Sequence, residues 1–244
     1  MTRRLLALLG AALALGAPSA AATGPGSLRV LFVGNSLTAT NDLPAYVAGL
    51  ADASGRKLEY RMITVGGYNL EDHWHLGEAR RALASRSWDY VVMQQGPSAL
   101  PESQVNLQAW AIRFADEARS KGTQPALMTV WPESYRQAAL PDVIKSYRRA
   151  AGAAGAELLP AGAAWQEAWR CDRRVGLYGG DGFHPSPTGT YAAALVVYGR
   201  LFRAPLRTPA LELVGLPART SRLLQASAAT ALGRKVVAAR RCGR

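Results

Sequence analysis

The chain has 244 residues, 49% of them hydrophobic and 19% charged, and a formal net charge of +12 at pH 7. That length suits one domain with a full core, and that balance of apolar and charged residues excludes a disordered chain. Much of the excess charge lies late, in Arg234, Lys235, Arg240, Arg241 and Arg244. It reads as a solvated, arginine-biased surface, and without a nucleic-acid-binding motif no nucleic-acid partner is expected.

In chain order, Arg3 and Arg4 precede an apolar run from Leu5 to Leu15, followed by Ala17-Pro18-Ser19-Ala20-Ala21-Ala22. A basic head, a short apolar stretch and small exit residues predict a Sec-type signal peptide over 1–22, cut after Ala20 or Ala22. The cleavage region has no Cys to carry a lipid, and no later run is long and apolar enough to span a bilayer. The expectation is therefore a secreted or periplasmic protein without a stable membrane anchor. An oxidising compartment would permit a disulfide between the two cysteines, Cys171 and Cys242.

The mature chain reads as one domain over 28–232 with a basic tail over 233–244. Leu28–Gly34 is a short apolar run closed by glycine, which predicts a buried strand. Asn41-Asp42 before Pro44 predicts a cap and a helix to about Ser54. Further strands are expected over 58–65, 88–93, 126–131 and 157–159. Helices are expected over 70–86, 103–121, 141–151, 187–202 and 217–232. Strands alternating with helices imply a parallel sheet covered on both faces, with its site beyond the carboxyl ends of the strands.

Four polar segments fall at such positions. Gly34-Asn35-Ser36-Leu37-Thr38 follows the first strand, where a serine hydroxyl can face a cleft beside free N–H groups. It is not the G-x-S-x-G elbow, because residue 38 is Thr. Asp181-Gly182-Phe183-His184-Pro185-Ser186-Pro187 holds an acid and a base three residues apart, just before a capped helix. A serine needs such a base to lose its proton, and the base needs an acid to orient it. Gly66-Gly67 follows the second strand and allows an exposed N–H. Gln94-Gln95-Gly96-Pro97-Ser98 follows the third, where a carboxamide could donate to an oxyanion. Asn35 and Trp131 are candidates to line the substrate. His73 and His75 could pair on a metal, but no cysteine or acid arrangement supports a closed site, so no metal is expected.

Together these segments resemble the SGNH (GDSL-like) hydrolase family over about residues 28–203. Gly34-Asn35-Ser36-Leu37 is similar to its first block, with Asn where the name-giving pattern has Asp, and Asp181-Gly182-Phe183-His184 to its last. The region of Gly66-Gly67 resembles the second block. The third block departs: Gly96-Pro97-Ser98 lacks the family's Asn, and the run Trp88–Gln94 resembles a bacterial branch with Gln at this strand end. The resemblance implies a three-layer α/β sandwich with a five-stranded parallel sheet, flavodoxin-like in its winding, and no cofactor. It implies Ser36 as nucleophile, His184 as base and Asp181 as its partner. The N–H groups of Ser36 and Gly67, with the side chain of Gln94 or Gln95, would bind the oxyanion. The expected activity is that of an exported serine esterase acting on a small-molecule or polysaccharide ester, above all acetylated carbohydrate. The alternatives are a lipase or lysophospholipase-type esterase, an acyltransferase, and a non-catalytic glycan-binding module on the same scaffold.

Overall fold

A computed structural model describes residues 26–206, residues 215–234 and Cys242. The expected signal peptide and most of the basic tail lie outside the described residues.

Five strands form one parallel sheet in the order β2-β1-β3-β4-β5. They are β1 (Ser27–Gly34), β2 (Lys57–Thr64), β3 (Tyr90–Met93), β4 (Gln124–Met128) and β5 (Glu157–Leu159). β1 is buried from Val30 to Gly34, as a strand flanked by two neighbours and covered on both faces requires. The chain reverses its direction of winding between β1 and β3, so the carboxyl ends of these strands border the crevice where such sheets bind ligands.

On one face α2 (Leu43–Asp52) packs on α8 (Pro187–Leu201), and α8 packs on α7 (Ala161–Cys171) and α9 (Ala218–Ala231). On the other, α5 (Pro101–Ser120) lies between α3 (Leu70–Leu76) and α6 (Leu140–Ala154). α8 is buried around almost its whole circumference, which explains its run of Ala, Leu, Val and Tyr. Gly189 in its first turn has no room for a side chain: a Cβ there would lie 2.1 Å from the Leu177 carbonyl oxygen. Ser186 caps the same helix by accepting from the Gly189 N–H, as its position before Pro187 predicts.

Most sequence-based boundaries move by one to three residues, and two expected elements change more. The helix expected over 70–86 is broken at Gly77, whose φ of +76° ends α3 and whose N–H returns to the His73 carbonyl. A second helix, α4 (Glu78–Ser85), restarts immediately. The strand expected over 126–131 instead occupies Gln124–Met128, leaving Thr129–Trp131 as an extension past the sheet edge. Helix α7 had no counterpart in the sequence reading.

Cys171, the last residue of α7, forms a disulfide with Cys242, their Cα atoms 4.9 Å apart across a separation of 71 residues. A cross-link over so long a loop stabilises by about 2–4 kcal/mol, mainly by restricting the unfolded chain. Reduction should therefore lower the midpoint of thermal unfolding by about 5–15 °C. Cys171→Ser should match the reduced protein in the same melting experiment; an unchanged midpoint would show that the bond contributes nothing.

Candidate active site

Ser36 opens the four-residue helix α1 (Ser36–Ala39) directly after β1. Its hydroxyl lies 2.9 Å from His184 Nε2, and His184 Nδ1 lies 2.5 Å from Asp181 Oδ2. With Asp181 ionised, Nδ1 carries the proton it donates, which leaves Nε2 as the acceptor for the serine hydroxyl. The other carboxylate oxygen, Oδ1, accepts the N–H of Phe183 at 3.0 Å and of His184 at 2.9 Å. These bonds, with that to the His184 ring foremost, hold the Asp181 pKa down to about 2. Both side chains are open to water, with 34% of His184 and 51% of Asp181 exposed.

The loop bearing Asp181 and His184 is fixed from several sides. The His184 carbonyl accepts the Gly179 N–H, and the Ser186 N–H donates to the Leu177 carbonyl. The Gly182 carbonyl accepts the Ser134 N–H at 2.7 Å. Gly182 has φ +70°, a conformation that favours glycine, and a Cβ there would lie 2.6 Å from Ser134 Oγ and force that hydroxyl to turn away. The Trp131 indole N–H donates to the Phe183 carbonyl at 3.1 Å while its ring stacks on Trp165 at 3.5 Å. Trp131 is fully buried and Asn35 is 5% exposed, which corrects the expectation that they line the substrate. Each instead supports a site loop from behind.

Asn41 supplies a link that sequence reasoning missed, having read Asn41-Asp42 only as a helix cap. Asp42 does cap α2, accepting from the Ala45 N–H. Asn41, at φ +59°, reaches across and donates to the Pro185 carbonyl and Thr190 Oγ1, both at 2.9 Å. It ties the Ser36 segment to the His184 segment, and its signal was an Asn suited to a left-handed turn.

Among the described residues no hydrogen bond takes up the N–H of Ser36 or of Gly67. Gly67 is exposed, with φ +77°, in the turn after β2. The two glutamines differ from expectation. Gln94 Nε2 donates to Asn35 Oδ1 at 2.9 Å and to the Gln95 carbonyl at 2.7 Å. Gln95 Nε2 donates to Ser98 Oγ at 3.0 Å and faces Asn106 Oδ1 at 3.5 Å. Both side chains are buried with their amide hydrogens committed, which corrects the expected carboxamide donor to an oxyanion.

His73 is buried and its Nε2 donates to the Gly34 carbonyl at 2.7 Å, under the Ser36 turn. Burial holds its pKa below the ordinary histidine value, outweighing the opposite effect of that bond. His75 is exposed and rests against Trp110 instead. Two residues apart on a helix, the rings diverge, and among the described residues no group of three or more His, Cys, Asp or Glu side chains gathers as metal ligands do.

No protein-family model matches the chain, and no curated protein does. Solved structures do. A candidate SGNH hydrolase from Slackia heliotrinireducens is 28% identical, covering 72% of this chain and 99% of its own, with a TM-score of 0.61. A DUF4886 family protein from Bacteroides uniformis is 22% identical over 86% of this chain and 97% of its own, with a TM-score of 0.72. A variant of an acetyl xylan esterase from Geobacillus stearothermophilus shares the fold at 17% identity, a TM-score of 0.55, and coverage of 72% and 93%. Its parallel five-stranded sheet, with Ser36, His184 and Asp181 brought together at the sheet's carboxyl edge, gives the chain the α/β fold of the SGNH-like hydrolases, to which it is similar.

Proposed function

We propose that this chain is an exported serine esterase that cleaves small acyl esters, with acetylated carbohydrate as its substrate class. The observation that carries the proposal is the hydrogen-bonded chain from Ser36 through His184 to Asp181, beside the N–H groups of Ser36 and Gly67. The pattern of residues 1–22 and the Cys171–Cys242 disulfide support export.

The reaction has two steps. His184 Nε2 takes the Ser36 proton as Oγ bonds to the ester carbonyl carbon. The carbonyl oxygen becomes an oxyanion, held by the two backbone N–H groups. His184 then returns the proton to the leaving alcohol oxygen as the ester C–O bond breaks. Water, deprotonated by His184, attacks the acyl-Ser36 carbonyl, and the acid leaves as the Ser36 hydroxyl is restored. Asp181 keeps the Nδ1 proton in place throughout and offsets the imidazolium charge.

Tyr135 supports a carbohydrate on the alcohol side. It is 82% exposed, and its neighbour Ser134 is bonded to Gly182 in the His184 loop. A bare aromatic ring beside a residue bonded to the His184 loop is suited to stacking on a sugar face. The test compares p-nitrophenyl acetate, butyrate and octanoate with an acetylated xylo-oligosaccharide. Acetate should be the best of the three nitrophenyl esters. Tyr135→Ala should lower the ratio of oligosaccharide to p-nitrophenyl acetate kcat/KM by about 3- to 10-fold, as loss of one aromatic contact does. Preference for octanoate would point to a lipase-type enzyme, and an unchanged ratio would remove Tyr135 from the substrate site.

A further inference from the structure

Gln94, at the end of β3, spends its carboxamide on the turn that carries Ser36. Its Oε1 accepts the Asn35 backbone N–H at 3.0 Å and the Thr38 hydroxyl at 2.8 Å. Its Nε2 donates to Asn35 Oδ1 at 2.9 Å and to the Gln95 carbonyl at 2.7 Å. One amide thus grips both the backbone and the side chain of Asn35, which requires a group that donates and accepts together. Gly34 leaves room for this grip, because a Cβ there would lie 2.5 Å from Gln94 Oε1 and 2.9 Å from Thr38 Oγ1.

Asn35 passes the constraint on in two directions. Its Oδ1 also accepts the Leu37 N–H at 3.1 Å, fixing the turn on either side of Ser36. Its Nδ2 donates to the Tyr68 carbonyl at 3.0 Å, in the residue after Gly67. The Ser36 and Gly67 N–H groups come from different loops, and the Asn35 side chain spans them. All the groups of this network from Gly34 to Leu37 are buried except Ser36 itself, so no water is placed to replace a lost partner.

We propose that Gln94 is a positioning residue that, acting through Asn35, sets the Ser36 and Gly67 N–H groups at the spacing an oxyanion needs. It does not touch the substrate. This rests on Ser36 being the nucleophile. A group acting through Asn35 and a group donating to the oxyanion itself differ in how their loss combines with loss of Asn35.

The test is a double-mutant cycle of Gln94→Ala and Asn35→Ala on p-nitrophenyl acetate, with kcat expressed per Ser36 titrated by a fluorophosphonate. Each single change should lower kcat by about 10- to 100-fold with KM within about twofold, the effect of a misplaced catalytic group. The double variant should fall no more than about threefold below the worse single, because both changes cut one linkage. Losses that multiply would overturn the proposal, as would a wild-type kcat per titrated site in Gln94→Ala. Gln94→Glu keeps the side-chain volume and enters the same cycle should Gln94→Ala fail to fold. Activity that survives Ser36→Ala would instead overturn the reading of the site, so the two failures are distinguishable.

Discussion

Ser36→Ala and His184→Ala should each lower kcat/KM for p-nitrophenyl acetate by at least about 10³-fold while leaving the fold intact. Ser36 is half-buried, and among the described residues its hydroxyl has one side-chain partner, His184 Nε2 at 2.9 Å. Removing one oxygen there takes away the attacking atom and little packing. His184 is held largely through its backbone: the N–H by Asp181 and the carbonyl by Gly179. Truncating its ring should therefore leave the loop in place and remove only the base. The two losses should not add, because the serine and the base act as one unit. Melting curves close to wild type, together with the kinetics, would separate lost chemistry from lost structure.

The second large effect is expected at Asp181. Asp181→Asn keeps the size of the group and an oxygen able to accept the Phe183 and His184 N–H bonds. It also turns an NH₂ group towards His184 Nδ1, so that nitrogen must lose its proton to accept. The proton then sits on Nε2 and points at Ser36 Oγ, which leaves no base for the hydroxyl. A fall in kcat of about 10²- to 10⁴-fold follows. The pH dependence has a defined sign. The folded pKa of about 2 lies below the ordinary 3.8, so the charged form is favoured by folding. Its contribution to stability is complete above about pH 4 and is lost as pH falls towards about 2. The part of the melting difference between wild type and Asp181→Asn that this carboxylate supplies should thus shrink as pH falls from about 4 to about 2. A difference that does not shrink below about pH 4 would contradict this assignment.

Much of the fold was legible because local pattern and burial agree. The apolar runs Leu28–Gly34 and Trp88–Met93 could be little else than strands inside a covered sheet, and Pro187 after Ser186 marks the start of α8. Helix α7 was hidden because Ala161–Ala164 has no polar face to give a period, and its Trp165 packs on Trp131 and Tyr178 from other segments. The break at Gly77 depended on whether glycine there would take a left-handed conformation, which the neighbouring His73 and Leu76 do not reveal.

The same division runs through the site. That Ser36, Asp181 and His184 come together could be anticipated, because a hydroxyl at a strand end and an acid and a base three residues apart are visible in residue type and local spacing. The direction in which Gln94 points could not, because its partner Asn35 lies 59 positions earlier. Asn41 is further still from Pro185, at 144 positions. A strand end offers an amide either to solvent or to a neighbouring turn, and only the packed sheet decides between them. Gly34, which reads as an ordinary end to a strand, is what makes the inward choice sterically possible.

The most direct test of the central claim is to trap the acyl-enzyme. The purified mature protein would be treated with a fluorophosphonate, digested, and its modified peptide located by mass spectrometry. The geometry predicts a single adduct on Ser36, formed in step with loss of p-nitrophenyl acetate hydrolysis and absent from Ser36→Ala and His184→Ala. Hydrolysis that continues in Ser36→Ala, or an adduct on another residue that accounts for the lost activity, would contradict Ser36 as the nucleophile.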